Sequence, residues 1–67
     1  MDKISAKIYE LRKEANLSQK ELAKRLGVSQ KAIDFWEKGI NEPKASFIIS
    51  LANYFGVSSD FLLGLED

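Results

Sequence analysis

The sequence predicts an all-α domain of five short helices, and three observations support this fold class. Apolar residues recur at helical spacing, and no segment alternates between apolar and polar residues as a strand would. Serines stand where helices would begin, and glycines stand where they would end. The tripeptide Gly-Val-Ser occurs at 27–29 and again at 56–58, so one helix-ending and helix-starting signal is used twice. Because it has only 67 residues, the chain (1–67) is predicted to form a single compact domain.

The first helix is predicted over Lys3–Ala15. Asp2 can cap its start, and Asn16, which tolerates the left-handed backbone, can end it. The apolar residues whose helical spacing predicts it are Ile4, Ile8, Leu11 and Ala15.

The second helix is predicted over Gln19–Leu26. Ser18 and Glu21 stand three residues apart, the spacing of a capping box in which each side chain satisfies a backbone N–H of the other. Gly27 can adopt the left-handed backbone that ends the helix.

The third helix is predicted over Gln30–Lys38, capped by Ser29 and ended by Gly39. At about 100° per residue, Ile33, Trp36 and Glu37 project to one side. The side chains that project to the other are Lys31, Asp34, Phe35 and Lys38. One face of this helix is therefore anchored and the other is presented to solvent, with Gln30 at the exposed N-terminal end.

Two further helices follow a loop at residues 39–43, where Pro43 disfavours helical backbone at Glu42. The fourth helix is predicted from Lys44 or Ala45 to Phe55-Gly56, and a short fifth over Ser59–Leu63. The predicted core comprises Ile4, Ile8, Leu11, Leu17, Leu22, Ala23, Leu26, Val28, Ile33, Trp36, Ile48, Leu51, Ala52, Phe55, Val57 and Leu62.

Composition argues against several classes of protein. The chain has no Cys and no His, so it lacks the usual thiolate and imidazole metal ligands and the commonest general base. No glycine-rich phosphate loop is present, and neither an enzyme nor a cofactor, metal or small-molecule site is expected. No apolar run approaches the roughly 18 residues of a membrane span, and a cytoplasmic protein is expected.

Charge is distributed unevenly although the net charge is zero. Residues 1–44 hold all ten basic residues and seven acids, which gives +3, whereas residues 45–67 hold three acids and no basic residue, which gives −3. The asymmetry is either a chance feature of a solvated surface or a basic face backed by an acidic far side.

Two short helices joined by a glycine-containing turn match the helix-turn-helix pattern. The chain resembles the phage-repressor-like family of lambda-type repressors, Cro proteins and Xre-like relatives. The segments that carry this resemblance are L-S-Q-K-E-L-A (17–23), L-G-V-S-Q (26–30), A-I-x-x-W-E-x-G (32–39), E-P (42–43) and L-A-N-Y-F-G-V-S-x-D-F-L-L (51–63). The resemblance implies a lambda-repressor-like domain that binds an operator in double-stranded DNA, usually as a homodimer.

In this architecture the first residues of the third helix meet base edges in the major groove. Gln30 is the leading candidate, since a glutamine amide pairs bidentately with adenine. Lys31 could contact guanine or a phosphate. Phe35 stands where relatives usually carry a polar or basic residue, and Lys38 stands where an Asn is also found. Phe35 could touch a thymine methyl or a protein. Asp34 is an acid on the face that should meet DNA, and it could accept from cytosine or hold Lys31 or Lys38 in place.

The resemblance assigns phosphate contacts to Gln19 and Ser29, both at helix N-termini, where free N–H groups favour an anion. Lys38 and the Ile40-Asn41 backbone resemble a second phosphate clamp, and Lys20 could add charge nearby. These contacts would position the protein without specifying sequence.

Three further expectations concern packing and partners. Arg12 and Glu37 match the family's interhelical ion pair and are predicted to meet. Phe61, Leu63 and Leu65 are predicted to form a weak dimer interface, with Leu62 facing the core. The alternative function is an antitoxin-like or antirepressor-type regulator that docks a protein through an exposed aromatic residue of the third or fourth helix, Phe35, Phe47 or Tyr54, or through the helix 4/5 surface.

Overall fold

The computed structural model of the chain describes residues 3–66, and five helices account for most of them. The helices are α1 (Lys3–Glu14), α2 (Gln19–Leu26), α3 (Gln30–Lys38), α4 (Ala45–Phe55) and α5 (Ser59–Leu62). The predicted all-α fold is confirmed, and the bounds of α2 and α3 are those predicted. Helices α1 and α5 each end one residue earlier than predicted. The proposed cap Asp2 lies outside the described residues.

Serine caps and left-handed glycines set these bounds. Ser18 Oγ accepts the Glu21 N–H at 3.0 Å, and Glu21 Oε1 accepts the Ser18 N–H at 2.8 Å, so the predicted capping box is present. Ser29 and Ser58 also accept the N–H three residues on. Gly27, Gly39 and Gly56 all have positive φ at helix ends. Asn16 takes the same backbone, at φ 58°, where α1 ends.

The core lies where the five helices meet. Every residue predicted for it is either buried or packed against the buried cluster. Five apolar side chains are completely inaccessible to solvent: Ile8, Leu22, Ile33, Leu51 and Leu62. The predicted inward position of Leu62 is thereby confirmed. Helix α3 packs against both α1 and α2, which fixes the outward direction of its other face.

The last residues of the described chain turn back onto α1. Gly64 has φ +76°, and a side chain there would collide with Lys3. Ser58 Oγ donates to Glu66 Oε1 at 2.5 Å. The tail is thus packed beside α5 and the start of α1. The longest helix of residues 3–66 has 12 residues, and none is both long and apolar enough to span a bilayer.

Candidate nucleic-acid interface

Helix α3 is anchored on one face, as its sequence predicts. Ile33, Trp36 and Glu37 are buried. Gln30, Lys31 and Lys38 are exposed. The start of α3 and its outer face are therefore available to a partner.

A buried ion pair joins α1 to α3. Arg12 Nε donates to Glu37 Oε2 at 2.6 Å, and Arg12 Nη2 donates to Glu37 Oε1 at 3.0 Å. Arg12 is 8 % exposed and Glu37 is 5 % exposed. Arg12 Nη1 also donates to the Leu17 carbonyl at 2.8 Å, which ties the α1–α2 turn to the pair. The predicted Arg12–Glu37 contact is confirmed, with the bidentate geometry that favours a strong pair.

Gln19 extends this pair toward the surface. Its Nε2 donates to Glu37 Oε1 at 3.1 Å and to Asp34 Oδ1 at 3.2 Å. Asp34 Oδ2 in turn lies 3.0 Å from Lys38 Nζ, one helical turn along α3. A continuous network thus runs from buried Arg12 to exposed Lys38. Of the two lysines considered as partners of Asp34, the structure selects Lys38.

The network stabilises the ionised form of Asp34. The hydrogen bond from Lys38, and then the one from Gln19, hold the pKa of the Asp34 carboxyl below its ordinary value. The guanidinium of Arg12 is likewise stabilised in its charged form, because the hydrogen bond to Glu37 raises its pKa. The four charged groups of the network are therefore two matched pairs, one buried and one near the surface.

An open groove brings together the starts of α2 and α3. Gln30, Gln19 and Ser18 line it, with Lys13 and Asn16 from the end of α1. Gln19 and Gln30, assigned separately to phosphate and base contacts, therefore share one surface depression. Lys13 and Asn16 were not predicted from the sequence, because helical spacing does not reveal which end of α1 lies beside α3.

Donor groups at the two helix starts face outward. Ser29 Oγ accepts the Ala32 N–H at 3.1 Å, which leaves the hydroxyl hydrogen able to donate. Lys20 is exposed in the first turn of α2. The first N–H groups of a helix have no partner within the helix, so both helix starts suit an anionic oxygen.

The backbone N–H groups after α3 are hydrogen-bonded within the chain more fully than predicted. The Ile40 N–H donates to the Phe35 carbonyl at 3.0 Å, and the Asn41 N–H lies 3.5 Å from the same oxygen. These bonds close the helix end around Gly39. The Ile40 N–H is therefore not a free phosphate donor, and a clamp at this backbone would depend on Asn41. The donors left there are the Asn41 side chain and its loosely held N–H.

Phe35 is half-buried, although the helix projection predicts an exposed ring. Lys31 Nζ lies 5.5 Å from the centroid of its ring, one helical turn earlier. The Lys31 ammonium therefore places a positive charge over the face of the ring. Phe35 remains outside the hydrophobic core of the described residues.

Two other aromatic residues were considered as docking groups. Phe47 packs against the core, and its ring centroid lies 5.6 Å from that of Trp36. The prediction that Phe47 is exposed is therefore wrong, because the ring fills space beside the buried indole. Tyr54 is 41 % exposed and meets Phe55 edge-on.

The predicted dimer surface is only partly apolar. Leu63 is 38 % exposed and Leu65 is 72 % exposed, but Phe61 is half-buried. Lys7 of α1 places its Nζ 4.4 Å from the Phe61 ring centroid. No residue after α4 in the sequence is basic, but the packing of α1 brings Lys7 to this surface. Phe61 is consequently a less available contact than Leu65.

A capped helix, a glycine turn and a second helix that is anchored inside and polar outside define a helix-turn-helix domain. The chain belongs to the helix-turn-helix family, whose model matches residues 8–62.

Curated relatives are regulators of transcription. The HTH-type transcriptional regulator ImmR of Bacillus subtilis (strain 168) is 28% identical over 64 residues, which are 96% of this chain and 50% of ImmR. The cryptic phage CTXphi transcriptional repressor RstR of Vibrio cholerae is 40% identical over 53 residues, 79% of this chain and 48% of RstR. The chain thus spans about half the length of these two relatives.

A solved structure shares the same fold. The P22 c2 repressor, crystallised with synthetic operator 9T in the presence of Tl⁺, matches with a TM-score of 0.87 and 32% identity. The match covers 94% of this chain and 96% of that one. The lambda-repressor-like fold class predicted from the sequence is confirmed.

Proposed function

We propose that the chain is a sequence-specific double-stranded DNA-binding domain of a transcriptional regulator, acting as a repressor at a palindromic operator. The observation that carries the proposal is the arrangement of α3, which is anchored by Ile33, Trp36 and Glu37 and exposes Gln30 and Lys31. The P22 c2 repressor, whose structure contains an operator, has the same fold. Residues 1–67 would act as one domain in the cytoplasm.

The base-reading side of the interface comprises four side chains of α3. Gln30 would pair with adenine, and Lys31 would contact guanine or a phosphate. Phe35 would offer the uncovered part of its ring to a thymine methyl. Asp34 is the only acid among the four, and it could accept a hydrogen bond from cytosine.

The phosphate-binding side comprises Gln19, Lys20, Ser29, Lys38 and the Asn41 side chain. Lys20 and Ser29 lie at the starts of α2 and α3, and the positive end of each helix dipole favours phosphate there. The excess of basic residues in 1–44 agrees with this side being basic.

Selection from a random duplex library tests the proposal. We expect a recurrent sequence with two half-sites about 34 Å apart, one turn of DNA. The logarithm of the affinity should fall linearly with the logarithm of salt concentration, and Lys20→Gln should reduce that slope by about 0.9. Lys7→Gln removes an equal charge beside Phe61 and serves as the control, because its slope should equal that of wild type. Failure to enrich any sequence would contradict the proposal.

The proposed operator symmetry requires two copies of the chain. We propose a weak C2 dimer through α5 and the tail, with Leu65 and Leu63 as the main apolar contacts and Phe61 at the edge. These leucines are exposed and lie in the segment without basic residues, which suits a second copy better than it suits phosphate.

Leu65→Ser tests this interface, and Ile49→Ser is the control. Both leave the core intact, since Leu65 is 72 % exposed and Ile49 is 55 % exposed. We expect Leu65→Ser to weaken self-association in sedimentation equilibrium and to reduce cooperative binding of the selected duplex. Ile49→Ser should behave as wild type. If Ile49→Ser were the variant that weakened association, the interface would lie on α4 instead.

A further inference from the structure

Asp34 occupies an unusual place for an acid on a surface that meets DNA. It lies on the outer side of α3, and its carboxylate oxygens are 3.0 Å from Lys38 Nζ and 3.2 Å from Gln19 Nε2. Both donors belong to the set proposed to hold phosphates. The Gln19 amide is further occupied, because Glu37 Oε1 accepts from it at 3.1 Å. In the free protein, carboxylates thus fill the positions that DNA phosphates would take on these two side chains.

The Asp34–Lys38 pair near the surface is easily broken, whereas the buried Arg12–Glu37 pair is not. The Lys38 side chain is 62 % exposed and the Asp34 side chain is 30 % exposed, so water and salt weaken their attraction. Arg12 and Glu37 are buried and hold the other end of the network. Lys38 can leave Asp34 without disturbing the position of α3.

We propose that Asp34 is a specificity-determining residue that works by occupying Lys38 and Gln19 until a correct base sequence is bound. This inference rests on the proposed DNA-binding function. Proteins bind random DNA almost entirely through its phosphates, and a phosphate that approaches Lys38 competes with the Asp34 carboxylate for the same ammonium charge. At a correct operator Asp34 can accept a hydrogen bond from cytosine, which offsets this loss, whereas a random sequence seldom presents a cytosine there. Asp34 therefore weakens random binding more than specific binding.

Asp34→Asn tests the inference, because it keeps the shape and an acceptor for Gln19 but removes the charge. On random-sequence duplex near 0.1 M salt, we expect the affinity to rise about fivefold to tenfold, and the salt slope to steepen by about 0.9, as Lys38 neutralises one more phosphate. Affinity for the selected duplex should change less, so the ratio of specific to random affinity falls. The thermal midpoint should move by less than about 4 °C, since an exposed pair contributes little to stability.

Two controls separate this mechanism from a simple change in net charge. Glu14→Gln likewise replaces one carboxylate with an amide, at an exposed residue of α1 that lies outside both the network and the proposed dimer interface, and should leave the slope unchanged. Lys38→Met keeps the side-chain stem and removes the ammonium. Asp34→Asn alone should bind random-sequence duplex more tightly than wild type does. The double variant Asp34→Asn/Lys38→Met should lose that increase in affinity.

The interaction is also measurable without DNA. In wild type the hydrogen bonds from Lys38 and Gln19 keep the pKa of Asp34 low. Titration of the side-chain carboxyl by NMR should show that pKa rising toward its ordinary value in Lys38→Met.

The outcomes distinguish the inference from the proposed function. If wild type binds duplex DNA and Asp34→Asn changes neither random affinity nor slope, the inference is wrong and the function stands. If the higher affinity persists in the double variant, Asp34 acts by general repulsion, and the role of Lys38 is wrong. A wild-type chain that bound no duplex at any salt concentration would overturn both.

Discussion

Arg12→Met should lower the free energy of unfolding by about 3 to 5 kcal/mol. Glu37 is 5 % exposed, and the substitution removes both guanidinium donors from its carboxylate. Leaving one buried charge unpaired costs far more free energy than the intact pair contributes to stability. Glu37→Gln should have an effect of the same order, because it leaves the guanidinium of Arg12 without a counter-charge.

Urea unfolding followed by the fluorescence of Trp36 measures this effect. The chain is small, and a loss of this size is a large part of the stability of such a domain, so the variants need to be compared at low temperature. Lys38→Met is the matched control, since it breaks the exposed pair with Asp34 and should cost less than about 1 kcal/mol. Unfolding midpoints for Arg12→Met and Glu37→Gln equal to that of the control would show that the pair is not effectively buried.

The double variant Arg12→Met/Glu37→Leu refines the same prediction. Replacing a whole buried ion pair with apolar side chains is often neutral or stabilising, whereas breaking half of it is not. We expect the double variant to recover much of the lost stability. The Leu17 carbonyl and the Gln19 amide would each lose a partner, so full recovery is not expected.

Gln30→Ala should reduce affinity for the selected duplex by about 1 to 3 kcal/mol and leave the salt slope unchanged. Gln30 is exposed at the first position of α3, at the edge of the groove that also contains Gln19. A bidentate amide contact with adenine depends on the base and not on phosphate. The loss should therefore fall on the selected sequence alone, and random duplex should bind as before.

Affinity measurements on three duplexes separate the possible roles of Gln30. The three are the selected duplex, a duplex with the adenine replaced, and random duplex. In Gln30→Ala the discrimination between the first two duplexes should vanish. Lys20→Gln is the control with the opposite signature, since it should weaken binding to all three and reduce the slope. Equal losses on all three duplexes for Gln30→Ala would assign Gln30 to the phosphate side.

Phe35 is less accessible than its position on a helix projection indicates. The ring is half-buried, and Lys31 Nζ lies 5.5 Å from its centroid, so a base can reach only part of it. The protein-docking alternative loses Phe47 as well, because that ring packs beside Trp36. The first observation favours α3 as a polar surface, and the second removes an aromatic contact from α4.

Local signals in the sequence determined the helices, and the structure agrees with them closely. A capping box such as Ser18 and Glu21 acts within one turn of helix, and a left-handed glycine such as Gly27 ends a helix through its own backbone. The inner face of α3 was equally predictable, since Ile33 and Trp36 follow the helical period. The spacing of Asp34 and Lys38 also marks a possible pair four residues apart.

Only the tertiary structure decided which distant side chains meet. Gln19 and Asp34 are 15 residues apart in the chain, and nothing in the periodicity of either helix indicates that one amide joins two carboxylates of α3. The contact of Lys7 with Phe61 likewise depends on the packing of α1 beside α5. Helix formation depends on neighbours within a turn, whereas these contacts depend on the distance and crossing of separate helices, which are set by the shape of the whole core.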